Sequence, residues 1–144
     1  MIILASETST LLGSVALFEN GAQLAYKESP RQGSHSDVIN VFIEDVLKKS
    51  EKKLSDIDLF AAGIGPGSFT GIRISVNAIK TLAYCYNKPI VGINSLINLA
   101  WQCPSVENAP IISMINAYKN MLYIATYKKV GGEIKVVREP EVIR

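Results

Sequence analysis

The sequence predicts an α/β chain: a mixed sheet with helical cover, in the order βββαβαβα, followed by a second and smaller set of three strands. Three observations predict it. The chain opens on a continuous apolar run, Ile2 to Ala5, and Asn20-Gly21 then separates two more strand-like runs. Two long stretches with apolar residues at three- and four-residue steps alternate with short apolar runs. After residue 110 the opening spacing returns, with Gly131-Gly132 in the place of Asn20-Gly21.

Residues 2–7 read as a buried strand, and 12–19 and 22–28 as a hairpin, because both Asn-Gly turn positions tolerate positive φ. Residues 36–53 read as a helix, with Ile39, Phe42, Ile43, Val46 and Leu47 on one face, widened by Val38 and Val41. His35 precedes it, and Ser36 or Asp37 is the expected N-cap. A strand over 56–64, a helix over 70–87 and a strand over 89–94 follow. Ser95 is the expected cap of a short helix ending at Gln102. Residues 111–116, 121–128 and 133–138 are three more strands. The expected division is a first lobe over 1–102 and a partial second lobe over 103–144. That second lobe stops after its strands, so its apolar face is expected to lie against the first lobe or another chain.

Bulk chemistry excludes several classes. With 144 residues, 48% hydrophobic, the chain can bury a core. A net charge of +2 is too mild to argue for nucleic acid by itself. The cluster Lys48, Lys49, Lys52 and Lys53 ends a predicted helix, where cations suit the dipole. Cys85, Cys103 and a single histidine offer neither a disulfide framework nor a metal site. No apolar run reaches membrane-spanning length, and a reduced cytoplasm is the expected compartment.

The segment "GIGPGSFTGIRIS", residues 63–75, places four glycines between a strand and a helix. Gly65, Gly67, Ser68, Thr70 and Gly71 could cradle an anion at a helix start. No Gly-Lys-Ser/Thr follows, and no acidic residue completes a dinucleotide fingerprint, so spacing favours a packing turn. Glu7, Thr8 and Ser9 end the first strand and read as a polar turn leading into the hairpin. A two-metal nuclease needs further carboxylates near Glu7, whereas Asp56 and Asp58 lie at the opposite end of their strand. The helix over 70–87 is apolar nearly all round and must be buried on more than one side. Val38, Phe42, Ile72, Val76, Ile79, Leu82, Ala83 and Tyr86 are therefore the candidate partner interface, and charge at Val76 or Ile79 is expected to disrupt assembly.

The element order resembles the ribonuclease-H-like lobe of the actin, hexokinase and Hsp70 superfamily. That resemblance implies, as an equal reading of Glu7, Thr8 and Ser9, a phosphate-binding element. Four collinear motifs, "ETST", "GSHSDVI", "GPGSFTGIRI" and "KPIVGINSL", make residues 1–102 similar to the TsaB (YeaZ) family. The resemblance implies an actin-like, two-lobed protein with a truncated second lobe. It also implies a non-catalytic role in making threonylcarbamoyladenosine in tRNA. The implied partners are a TsaD-type catalytic subunit and a TsaE-type ATPase, with homodimers in isolation and only indirect contact with tRNA. No metal and no cofactor of its own is implied, ATP or ADP entering only at a complex interface. The chain departs from the family pattern at Glu7 (usually Asp), Ile64 (often Arg), Ser75 (commonly Gly) and Asn116-Ala117-Tyr118 (usually "DAR"). Two alternatives stay open: a small kinase or ATPase with Glu7, Thr8, Ser68 and Thr70 around phosphate, or a homodimeric structural protein.

Overall fold

A computed structural model describes residues 1–29, 35–104 and 107–144, with the side chains of residues 35–37 outside the description. The chain forms two compact units: one of residues 1–64 and 68–93, the other of 65–67 and 94–144.

In the first unit, β1 (Ile2–Glu7), β2 (Ser14–Glu19) and β3 (Ala22–Glu28) form an antiparallel meander. Asn20 and Gly21 turn the β2–β3 hairpin at φ 52° and 85°, as that dipeptide dictates. Helix α1 (His35–Lys49) leads through a 3-10 turn at Leu54–Asp56 to β4 (Leu59–Gly63), which pairs parallel to β1. Helix α2 (Phe69–Cys85) then returns the chain to β5 (Ile90–Ile93), parallel to β4. The sheet order is β3-β2-β1-β4-β5, the mixed sheet the sequence predicts. Both helices pack on it, and Leu4, Val15, Leu17, Phe60, Ile79 and Val46 form a closed core.

The second unit contains α3 (Ser95–Gln102) and an antiparallel sheet of β6 (Pro110–Tyr118), β7 (Met121–Val130) and β8 (Glu133–Ile143). Two expectations are corrected here. The boundary falls after residue 93 rather than 102, because α3 packs on β6, β7 and β8. Its buried Leu96 and Ala100, with Ile97, meet Ile111, Ile115, Ala125 and Tyr127. The second sheet thus buries one face against α3, a helix that the sequence reading assigned to the first lobe. The cap of α3 is Asn94 rather than Ser95: Asn94 Oδ1 accepts from the Leu96 and Ile97 amides at 2.8 and 3.3 Å.

Candidate functional site

Parallel β1 and β4 end side by side, which is where open α/β sheets place ligands. The polar groups there are engaged with one another. Glu7 Oε1 accepts from the Ser9 amide at 2.8 Å, and a side chain at Gly63, the last residue of β4, would collide with the Glu7 carboxylate. Glu7 therefore lies across the end of β4, a position open only because residue 63 lacks a Cβ. The Ser68 amide donates to the Ser9 carbonyl oxygen at 2.6 Å. Thr8, wholly buried, donates from Oγ1 to the Gly71 carbonyl oxygen at 2.6 Å.

This contact explains the glycine at 71. A Cβ there would strike the Thr8 carbonyl oxygen, so α2 reaches β1 only with glycine at its third residue. Ser68 caps α2, its Oγ accepting from the Gly71 amide at 3.2 Å. One turn on, Ser75 Oγ donates to the Ser6 carbonyl oxygen at 3.0 Å and lies 3.0 Å from Ser6 Oγ. Serine at 75, a departure from the family pattern, thus gains a buried partner on β1.

The structure gathers Glu7, Thr8, Ser9, Ser68 and Gly71 into one junction of the first unit. Thr70 instead faces solvent, in a shallow groove of about 220 Å³ with Arg73, Ile74 and Asn77. Gly65 and Gly67 carry φ of 86° and 154°, and the Gly65 carbonyl oxygen accepts from the Ser95 amide at 2.8 Å within the second unit. Asp58 sits at the far end of β1, where its Oδ2 accepts from the Ile2 amide at 2.7 Å. It is remote from Glu7, as the nuclease argument requires. The expected cap at Ser36 or Asp37 lies outside the described side chains.

The proposed interface residues divide. Phe42, Ile79 and Ala83 are buried in the core of their own unit, Ile79 with no exposed surface at all. Val38, Val76 and Leu82 are half-buried against that core, and Ile72 is half-buried. Tyr86 is exposed. Charge at Ile79 would therefore unfold the unit before it tested any interface. The surface that α2 does present runs from Phe69, 74% exposed, through Arg73 and Asn77 to Tyr84, 89% exposed. The Arg73 guanidinium stands 5.4 Å from the centre of the Phe69 ring. On α1, Val41 is half exposed. Sequence reading missed Phe69 and Tyr84 as a stripe, although Phe69, Arg73 and Asn77 recur at four-residue steps.

Cys85 and Cys103 are free, exposed thiols. Among the described residues, no three His, Cys, Asp or Glu side chains gather as a metal cluster, and no helix is long and apolar enough to cross a membrane.

Against known proteins, the family TsaD, described as tRNA N6-adenosine threonylcarbamoyltransferase, matches residues 30–144. The Escherichia coli (strain K12) protein named tRNA threonylcarbamoyladenosine biosynthesis protein TsaB is 34% identical, over 99% of this chain and 64% of its own length. The tRNA N6-adenosine threonylcarbamoyltransferase of Dictyoglomus turgidum is 36% identical over 67% of this chain and 34% of its own. Among solved structures, YeaZ from Pseudomonas aeruginosa superposes with a TM-score of 0.87 at 27% identity, covering 99% of this chain and 67% of that one. The chain thus spans 64% of the length of the first of these relatives and about a third of the second.

Proposed function

The chain belongs to the TsaB (YeaZ) group of the TsaD family, and from that premise we propose that it serves the synthesis of threonylcarbamoyladenosine in tRNA as a non-catalytic scaffold for a TsaD-type subunit. The observation that carries this reading is the outer stripe of α2. A helix that already buries Gly71, Ser75, Ile79 and Ala83 in its own unit still holds Phe69 and Tyr84 out in water. Exposed aromatic rings beside an arginine are the side chains that anchor protein interfaces, each worth roughly 2 kcal/mol or more when buried.

The junction of β1 and α2 supports the non-catalytic part of the proposal. Thr8 Oγ1, Ser68 Oγ and the Ser9 amide are spent on internal hydrogen bonds. The Glu7 carboxylate sits beside that amide, where it repels a phosphate. Nucleotide accordingly belongs at an interface within the complex, and the chain carries no cofactor of its own. A TsaE-type ATPase joins that complex, and in isolation the same helical surface supports a homodimer.

The test is reconstitution with a TsaD-type subunit, a TsaE-type ATPase, tRNA and a source of threonylcarbamoyl-adenylate. Modified nucleoside is expected only when the chain is present. Equal product without it would overturn the scaffold reading.

A further inference from the structure

We propose that Glu7 is a positioning residue for partner binding: its carboxylate, laid over Gly63, holds the turn that fixes the start of α2 and with it Phe69. The inference rests on the reading that the outer stripe of α2 meets a TsaD-type subunit, and adds what sets that stripe in place.

The Phe69 ring is 74% exposed, so the backbone on either side of it decides where it stands. That backbone is fastened to the end of β1 at two points. The Ser68 amide donates to the Ser9 carbonyl oxygen at 2.6 Å, and Thr8 Oγ1 donates to the Gly71 carbonyl oxygen at 2.6 Å. Ser68 then starts the helix, its Oγ accepting from the Gly71 amide at 3.2 Å and its carbonyl oxygen from the Ile72 amide at 2.8 Å. Both fastenings depend on residues 8 and 9 keeping their turn. Glu7 sets that turn, because its Oε1 accepts from the Ser9 amide at 2.8 Å. A hydrogen bond to an ionised carboxylate is stronger than one between neutral groups.

The carboxylate reaches that amide across residue 63. A Cβ there would overlap both carboxylate oxygens, which lie at the free end of a flexible side chain. Gly63 has no positive φ, so alanine suits its strand backbone. Gly63→Ala therefore pushes the carboxylate aside and leaves the sheet intact. At Gly71 the obstacle is instead backbone, the Thr8 carbonyl. Aspartate at position 7 would reach the Ser9 amide another way. Its side chain closes a turn onto the amide two residues on, and one methylene shorter it stops short of residue 63. Positions 7 and 63 are thus coupled: glutamate needs glycine opposite, and aspartate does not.

Titration of a TsaD-type subunit with the whole 144-residue chain tests the coupling, with amide hydrogen exchange as the local readout. Gly63→Ala is expected to bind about fivefold more weakly, as a first turn formed about a fifth of the time would. The Ser68 and Ile72 amides should exchange faster while that of Ile79 does not, and the melting temperature should fall by about 5 °C at most. Glu7→Asp should bind within about twofold of wild type, and adding it to Gly63→Ala should restore binding. A residue that served stability alone would lower the melting temperature without that loss and rescue of affinity. Glu7→Ala reaches the same state with no atom added at 63, and Gly63→Ala on top of it should weaken binding no further. Wild-type affinity in both Gly63→Ala and Glu7→Ala would overturn the inference, as would failure of Glu7→Asp to rescue Gly63→Ala. Phe69→Asp separates the two readings. Affinity lost on Phe69→Asp but kept on Gly63→Ala sinks only the positioning role, whereas affinity kept on Phe69→Asp sinks the interface and the positioning role together.

Discussion

β1–β3 and β6–β8 are two versions of one antiparallel meander, each with a two-residue turn between its last two strands, and they fare differently. In the first, β1 gains a parallel neighbour in β4, and α1 and α2 pack on the sheet, so that Leu4, Val15 and Leu17 are wholly buried. In the second, among the described residues α3 is the helix that seals one face, over Ile111, Ala125 and Tyr127, while Ile112 and Met114 opposite are exposed. Strand pattern sets the meander, and what packs on it sets the burial. The same contrast holds for polar atoms. Ser75 in the first unit has its hydrogen bond to Ser6, whereas Ser113 Oγ in the second is buried with no partner among the described residues.

Substitutions break or sharpen that contrast in descending order. Phe60→Ala removes a fully buried ring from the middle of the first sheet and is expected to cost about 3–5 kcal/mol in denaturant titration. Gly71→Val drives a side chain into the Thr8 carbonyl and should cost about 3 kcal/mol, seen as a lower melting temperature with disrupted α2–β1 packing. The serines should give opposite signs. Ser75→Ala is expected to destabilise by about 1 kcal/mol, and Ser113→Ala to stabilise by about as much, since it removes a buried hydroxyl that lacks a partner. Loss of stability on both changes would mean that the two units satisfy their polar atoms equally well.

The smallest effect concerns pH. Burial, and then the charge of Glu139, hold the Tyr127 hydroxyl above its ordinary value of 10.0. A raised tyrosine pKa leaves stability intact below the unfolded value of about 10 and erodes it as pH climbs toward the folded value. Tyr127→Phe should therefore flatten the fall in melting temperature above pH ~10. An unaltered alkaline profile would show that Tyr127 does not set it.

Legibility in the sequence followed the strength of local chemistry. Asn20-Gly21 and Gly131-Gly132 announced their hairpins because few other residues accept positive φ twice in succession. The end of α1 was placed at 53 but falls at Lys49, where the chain leaves through Glu51 at φ 56°, a left-handed position without the glycine that usually marks it. The start of α2 was placed at Thr70 but falls at Phe69, because Ser68 Oγ takes the Gly71 amide and caps the helix one residue earlier. The Gly-rich loop was read first as a packing turn, and the Thr8–Gly71 bond gives that reading an atomic reason. Periodicity showed that α2 is apolar nearly all round, but which side meets its own core depends on β1 and β4, distant in sequence. Ile79 therefore appeared in the expected interface, and Tyr84 did not.

The scaffold account turns on that outer side of α2. The most direct measurement is the affinity of a TsaD-type subunit for wild type, Phe69→Asp and Tyr84→Asp, each checked for an unchanged melting temperature. Exposed positions leave the fold intact, so a loss of at least tenfold, about 1.4 kcal/mol, is expected in each variant. Affinities equal to wild type in both would contradict the account, because the stripe would then have no partner.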